Sequence, residues 1–175
     1  MAEHLDFRRL MEAMTRRTEA FLAEELDIPA QARDKDIDQA HKIELKHLTS
    51  IMGVEGHFGV YLAFSFEEKL IRQALDAFAE DVEIEEDERD LYLEEAATEI
   101  LNTIVGNATA DFNQAGPAIR LSPPIVVTEA RRVLRHKDAQ FFSTRLQTAY
   151  GELDIHCIGP KELFDEQLNY ISEEA

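Results

Sequence analysis

Glu99, Asn102 and Gly106 follow one another at intervals of three and four residues, the spacing that stacks side chains along one face of an α-helix. At about 100° per residue, Ala97, Ile100, Leu101, Ile104 and Ala108 gather into one apolar stripe. Glu95, Glu99, Asn102, Gly106 and Asn113 cluster near the opposite meridian. A helix over 90–112 would bury the stripe and project a carboxylate and a carboxamide outward from one rigid platform. The glycine one turn further on lets another molecule approach the backbone closely. Such a face is set to meet solvent or a partner.

Other chemistries find little support. The six histidines, His4, His41, His47, His57, His136 and His156, are dispersed, and none forms H-E-x-x-H or an i, i+4 pair suited to zinc. Neither a phosphate-cradling G-x-x-x-x-G-K-[ST] loop nor a G-x-G-x-x-G or G-x-S-x-G pattern occurs. Cys157 is the sole cysteine, which rules out an internal disulfide, and it alternates in phase with Leu153 and Ile155. That placement favours a buried, inert thiol over a nucleophile.

Between Glu80 and Glu95, ten carboxylates face a single Arg89. They lack the D-x-[DN]-x-[DN]-G spacing of a calcium loop, so they read as a solvated approach to a helix N-terminus, where acids suit the macrodipole. The whole chain carries 18 basic and 36 acidic residues, a net charge of −18. A field of that sign repels nucleic acid and anionic membranes. The one basic concentration, Arg131-Arg132-Val133-Leu134-Arg135-His136-Lys137, could grip an acidic partner or neutralise nearby carboxylates. With no run of 18 apolar residues and no basic-then-apolar leader at the N-terminus, the protein is expected to be cytoplasmic.

The elements that must position the Glu99/Asn102 face can be read from periodicity. Phe7, Leu10, Met11, Met14, Phe21 and Leu22 recur at helical spacing, predicting a helix over 3–27 ended by Pro29. The polar stretch 29–39 reads as a loop. Ile43 and Leu45 alternate against Glu44 and Lys46, and strict alternation returns over 57–66. Gly53 and Gly56 lie between, so the two runs are expected to pair as an antiparallel hairpin. Ser65 followed by Glu68 fits a capping box opening a second helix over 67–80, with Leu70, Ile71, Ala74, Leu75 and Phe78 inward.

Short strands are expected near 118–121 and 125–128, on either side of Pro123-Pro124, which forbids a central paired strand. A hairpin over 140–149 and 152–158 turns at Tyr150-Gly151, and a last short helix is expected from Pro160 to Ile171. Hairpins interleaved with helices predict an α+β fold, an antiparallel sheet with long amphipathic helices packed on one face. At 175 residues and 45% apolar content, one domain over 1–175 is expected.

The run Glu94-Glu95-Ala96-Ala97-Thr98-Glu99-Ile100-Leu101-Asn102-Thr103-Ile104-Val105-Gly106-Asn107 resembles the E-x-x-N-x-x-x-G helix of the CheC/CheX/FliY chemotaxis phosphatases. Three further stretches resemble CheX in the same order. They are an opening helix closed by Ile28-Pro29, the run from Gly53 to Phe66, and Leu121-Ser122-Pro123-Pro124-Ile125-Val126-Val127. A second E-x-x-N, Glu166-Gln167-Leu168-Asn169, has no following glycine and is expected to be silent.

The resemblance implies a CheX-like fold and a phosphatase for the aspartyl phosphate of a CheY-like response regulator in chemotaxis signalling. It further implies that Asn102 holds a water in line with phosphorus and that Glu99 pairs with the regulator's active-site lysine, with Glu95 and Gly106 in the partner-binding face. By the same resemblance the chain binds no cofactor itself, Mg2+ comes with the phosphorylated regulator, and the protein is a homodimer joined through sheet edges by strands after residue 128. The competing reading is a non-catalytic module that keeps the fold to dock a receiver domain or a chemotaxis or flagellar-switch component. A ligand-sensing domain is a third, which a deep apolar pocket would favour.

Overall fold

The computed structural model of the protein describes residues 2–36, 41–56, 59–110 and 119–171, and the side chains of these except 2–6 and 34–36. Helix α1 (Ala2–Glu25) opens the chain, followed by strands β1 (Ala30–Asp36), β2 (Lys42–Leu45), β3 (Leu48–Glu55) and β4 (Val60–Phe66). Helices α2 (Glu68–Phe78) and α3 (Arg89–Ala110) come next, then β5 (Arg120–Leu121), β6 (Ile125–Val127), β7 (Arg131–Leu134), β8 (Gln140–Thr148) and β9 (Gly151–Gly159). An antiparallel sheet runs in the order β1-β8-β9-β4-β3, with β5 and β6 one after the other along the outer edge of β3. Strands β2 and β7 form a separate antiparallel ribbon.

Period-two alternation divides the sheet residues between two cores. Leu62, Phe64 and Phe66 of β4, Leu153, Ile155 and Cys157 of β9 and Leu146 of β8 face the three helices. Tyr61 and Ala63 of β4, Ile158 of β9 and Phe141 of β8 point the other way. There Ile43, Leu45 and Val133 of the ribbon and Phe164 and Leu168 of the C-terminal segment cover them. The expected α+β architecture with helices on one face is therefore present, and the far face is roofed by ribbon and tail.

Several local expectations are corrected. The stretch read as a loop over 29–39 contains β1, which pairs with β8 from Ala30 opposite Thr148. Its sequence, Ala-Gln-Ala-Arg-Asp-Lys-Asp, alternates only through Ala30 and Ala32, two small side chains packed on the core, too faint a signal to mark an edge strand held largely by backbone pairing. The hairpin partner of β4 is β3, in register from Leu48 opposite Phe66 to Val54 opposite Val60, while β2 pairs with β7. Nearly all of β3 is buried on both faces, so it lacks the alternation that marks a half-exposed strand.

Ser65 does not cap α2. Its hydroxyl accepts the Lys46 backbone N–H at 2.6 Å and bonds the Thr49 hydroxyl at 2.9 Å. The residue preceding the helix is Glu67, whose carboxylate is taken by the Glu152 backbone N–H at 2.6 Å. Nor does the segment after Pro160 continue as a helix. A single short turn, Lys161–Leu163, is followed by a bridge between Phe164 and Tyr170. Asp165 causes this, because its carboxylate captures the backbone N–H groups of Gln167 and Asn169, each at 2.9 Å, offering the backbone a turn in place of a helical ladder. Ile171, at the end of this segment, is 53% exposed.

The Pro123-Pro124 interruption behaves as expected. β5 and β6 both pair with β3 on either side of it, and Ser122 bridges the gap. Its N–H donates to the Gly53 carbonyl at 2.9 Å, and its hydroxyl accepts the Gly53 N–H at 2.7 Å. A Cβ at Gly53 would stand 3.0 Å from that hydroxyl and 3.1 Å from Cε of Lys161, so a larger residue here would have to displace both side chains.

Candidate docking and catalytic site

Helix α3 is anchored before it displays anything. Leu93, Ala97, Ile100, Leu101, Ile104, Val105 and Ala108 are fully or almost fully buried against α1, α2 and the sheet. Each of the larger side chains contributes roughly 1.5–3 kcal/mol of hydrophobic stabilisation. The Thr109 hydroxyl donates to the Val105 carbonyl at 2.7 Å, which keeps that polar group satisfied near the C-terminal end. At the other end Glu86, Asp87, Glu88 and Asp90 occupy the leading turns, where carboxylates complement the helix dipole. The acidic segment thus serves as the helix entry that its composition predicts.

On this platform Glu95, Glu99 and Asn102 are exposed and Gly106 is half-exposed. Asn102 stands about 4.5 Å further along the axis than Glu99. The only hydrogen bond to the Glu99 carboxylate among the described residues comes from the Thr103 hydroxyl, at 3.4 Å. A contact of that length holds the carboxylate weakly, leaving it available to a cation. Among the described residues nothing lies within 4 Å of where a Gly106 Cβ would stand. The chain's own packing does not demand glycine there, although glycine in a helix costs about 0.5–1 kcal/mol against alanine. Asn113, assigned to the same face by periodicity, lies outside the described residues.

Two hollows flank Glu99. Along one side of α3, Tyr92 and Ala96 line the first, Thr103 and Asn107 line the second, and Glu99 lines both. The first, of about 320 Å³, is closed by Leu75, Phe78, Val82 and Ile84. The second, of about 580 Å³, lies against the end of α1 with Arg17, Phe21 and Glu24 in its wall. Phe78 separates them and remains 41% exposed, where the α2 periodicity had placed it inward. The sequence signal for the first hollow was present but faint: Val82 and Ile84 are the apolar residues interrupting the acidic run.

The second E-x-x-N is not assembled into a comparable face. Asn169 donates to the Asp165 carboxylate at 3.2 Å and accepts from the Arg131 guanidinium, which also reaches the Gln167 carbonyl. The basic cluster is thereby partly spent on the chain itself, with Arg132 also 3.6 Å from Glu44. It lies on the ribbon, across the sheet from α3.

That far face also holds a buried polar group that no spacing in the sequence marks. Asp154 receives Arg145 at 2.9 and 3.2 Å and lies 3.5 Å from the Lys46 ammonium, while Arg145 also meets Glu152 at 2.6 Å. These partners are joined across strands, so no linear spacing announces them. Next to them His156 Nδ1 and the Ser143 hydroxyl are 2.6 Å apart, a distance compatible with a base and its nucleophile. The ring is 3% exposed, and burial pushes its pKa down to about 4, too low for a base poised near neutrality. Burial also pushes the Cys157 thiol up to about 12, in keeping with the inert role its alternation predicts.

Residues 48–147 match the family model described as chemotaxis phosphatase CheX. Among solved structures, the chemotaxis protein CheX from Desulfovibrio desulfuricans superposes with a TM-score of 0.70 at 15% identity, covering 85% of this chain and 97% of that one. The CheX of the CheX–CheY–BeF3–Mg2+ complex from Borrelia burgdorferi gives 0.63 at 14% identity, covering 85% and 96%. Thermotoga maritima FliY gives 0.54 at 14% identity, covering 90% and 89%. No curated protein matches the sequence.

Proposed function

Because this chain belongs to the CheX family, we propose that it is a phosphatase for the aspartyl phosphate of a CheY-like response regulator, acting in chemotaxis signalling with Asn102 and Glu99 as its working side chains. The observation that carries the reading is the outward, side-by-side projection of Glu99 and Asn102 from a helix whose opposite stripe is locked into the core. An acyl phosphate is already reactive, so the enzyme's task is to position water.

Asn102 enters the regulator's active site and orients a water through its carboxamide, which can donate and accept at once. The gain comes from placement and charge complementarity, with no covalent intermediate on this chain. Glu99 pairs with the regulator's active-site lysine, and its weak tie to Thr103 lets it swing to meet one. Glu95 adds negative charge to the same surface, and Gly106 allows the two backbones to approach. The Borrelia burgdorferi CheX complex with CheY contains Mg2+, and we assign the cation here to the regulator likewise.

We further propose that residues 1–175 act as one phosphatase domain in the cytoplasm, as a homodimer. No helix among the described residues is long and apolar enough to cross a membrane. Of the strands after residue 128, β8 and β9 are paired on both sides, whereas β7 pairs only with β2 among the described residues. β7 is therefore the strand in that region with an edge to offer a second copy.

The test is phosphate release from phosphorylated CheY-like receivers, with and without the protein. Acceleration of one or more receivers supports the proposal. Binding without acceleration replaces it with a non-catalytic docking module.

A further inference from the structure

The apolar hollow beside Glu99 has no part in placing water, yet it opens onto the same surface. Phe78 and Val82 are 41% and 62% exposed, and with Leu75, Ile84, Tyr92 and Ala96 they wall a concavity of about 320 Å³. An aromatic and an aliphatic side chain left open in a concave wall provide the kind of socket that an anchoring side chain fills at an interface. Glu95 and Glu99 stand on its rim. Behind Val82 and Ile84 runs the acidic segment, whose single base, Arg89, already donates to Asp76 at 3.0 Å. The hollow is thus apolar inside and negative around, and the partner that complements it is apolar at the tip and basic on its flanks.

Resting on the phosphatase reading, we propose that this hollow is the selectivity pocket for the regulator. It receives one apolar side chain, flanked by lysine or arginine, from the regulator's surface next to the phosphorylated aspartate. Glu99 is common to the hollow and to the catalytic face, and Ala96 lies about 4.5 Å down the helix axis from it. A regulator whose lysine reaches Glu99 therefore spreads over the hollow without reorienting. Receivers lacking the apolar tip leave the socket unfilled, and acidic ones are repelled by its rim, so the pocket discriminates among receivers that all carry the same reactive phosphate.

The experiment uses the full chain and the receiver whose phosphate it releases fastest, loaded with BeF3 and Mg2+ as a stable stand-in for the aspartyl phosphate. Binding of Phe78→Ala, Val82→Lys and Val82→Glu is titrated against the native protein, and phosphate release is measured at saturating receiver. All three changes sit on exposed side chains. Phe78→Ala is expected to weaken binding about tenfold, and Val82→Lys to weaken it more than Val82→Glu, with the saturated rate unchanged in each. Unchanged binding in all three overturns the proposal. So does a loss confined to self-association by light scattering, which would give the hollow to a second copy. Asn102→Ala, run in parallel, separates the two readings: an inactive Asn102→Ala beside normally binding Phe78 and Val82 variants removes the pocket and leaves the phosphatase standing.

Discussion

Glu99 and Asn102 sit one helical turn apart yet are assigned different work, anchoring and water placement, and that division can be tested residue by residue. Glu99→Ala removes the charge that meets the regulator's lysine. It should weaken binding of a phosphorylated or BeF3-loaded regulator by roughly tenfold or more, a change of about 1.4 kcal/mol or above, while leaving the saturated rate largely intact. Unchanged affinity by titration would remove Glu99 from the docking role. The placement of these residues was legible from periodicity alone, since an exposed polar face opposite a buried stripe follows directly from 3.6 residues per turn. The Asp154, Arg145 and Lys46 contacts were not legible, because strands bring residues together over separations that no short window contains.

At the scale of elements, α3 is a platform whose one weak point is Gly106. With open space among the described residues where its Cβ would stand, Gly106→Ala should stabilise the fold by about 0.5–1 kcal/mol and raise Tm by about 1–4 °C. The same methyl should weaken regulator binding, because it stands where the partner's backbone comes close. Loss of stability in that variant would contradict the open geometry, and undiminished binding would contradict the close approach. Elements with strong periodicity, α1, α2, α3 and the β8–β9 hairpin, were readable from the sequence. Those built by competition were not: β1 is held through its backbone, Ser65 gives its hydroxyl to Lys46 and Thr49 instead of a helix end, and Asp165 turns a helical pattern into a loop. Helix-start signals fail where the cap residue has a better partner elsewhere.

For the molecule as a whole, the sheet hides a titratable group whose effect can be followed in unfolding. His156 is neutral in the fold because burial lowers its pKa to about 4, against about 6.5 in the unfolded chain. The unfolded state therefore takes up the proton first as pH falls. Stability from this residue is complete above about pH 6.5 and drains away toward pH 4, with a loss of about 2 kcal/mol between pH 7 and pH 5. Denaturant unfolding at a series of pH values should show that slope in the native protein and a flatter one in His156→Gln. Equal slopes would place the proton elsewhere. Self-association belongs to the same scale. A chain of 20.0 kDa that pairs through β7 should scatter light as twice that mass, and a monomer at micromolar concentration would contradict the dimer.

In the proposed reaction one carboxamide on an exposed helix face places the water that removes the regulator's phosphate. That role is tested most directly by Asn102→Ala, with release from phosphorylated regulator and binding to its BeF3-loaded form measured on the same preparation. The variant should fold and bind like the native protein while its rate falls on the order of 10²-fold or more. A variant that binds and still releases phosphate at the native rate would contradict that role.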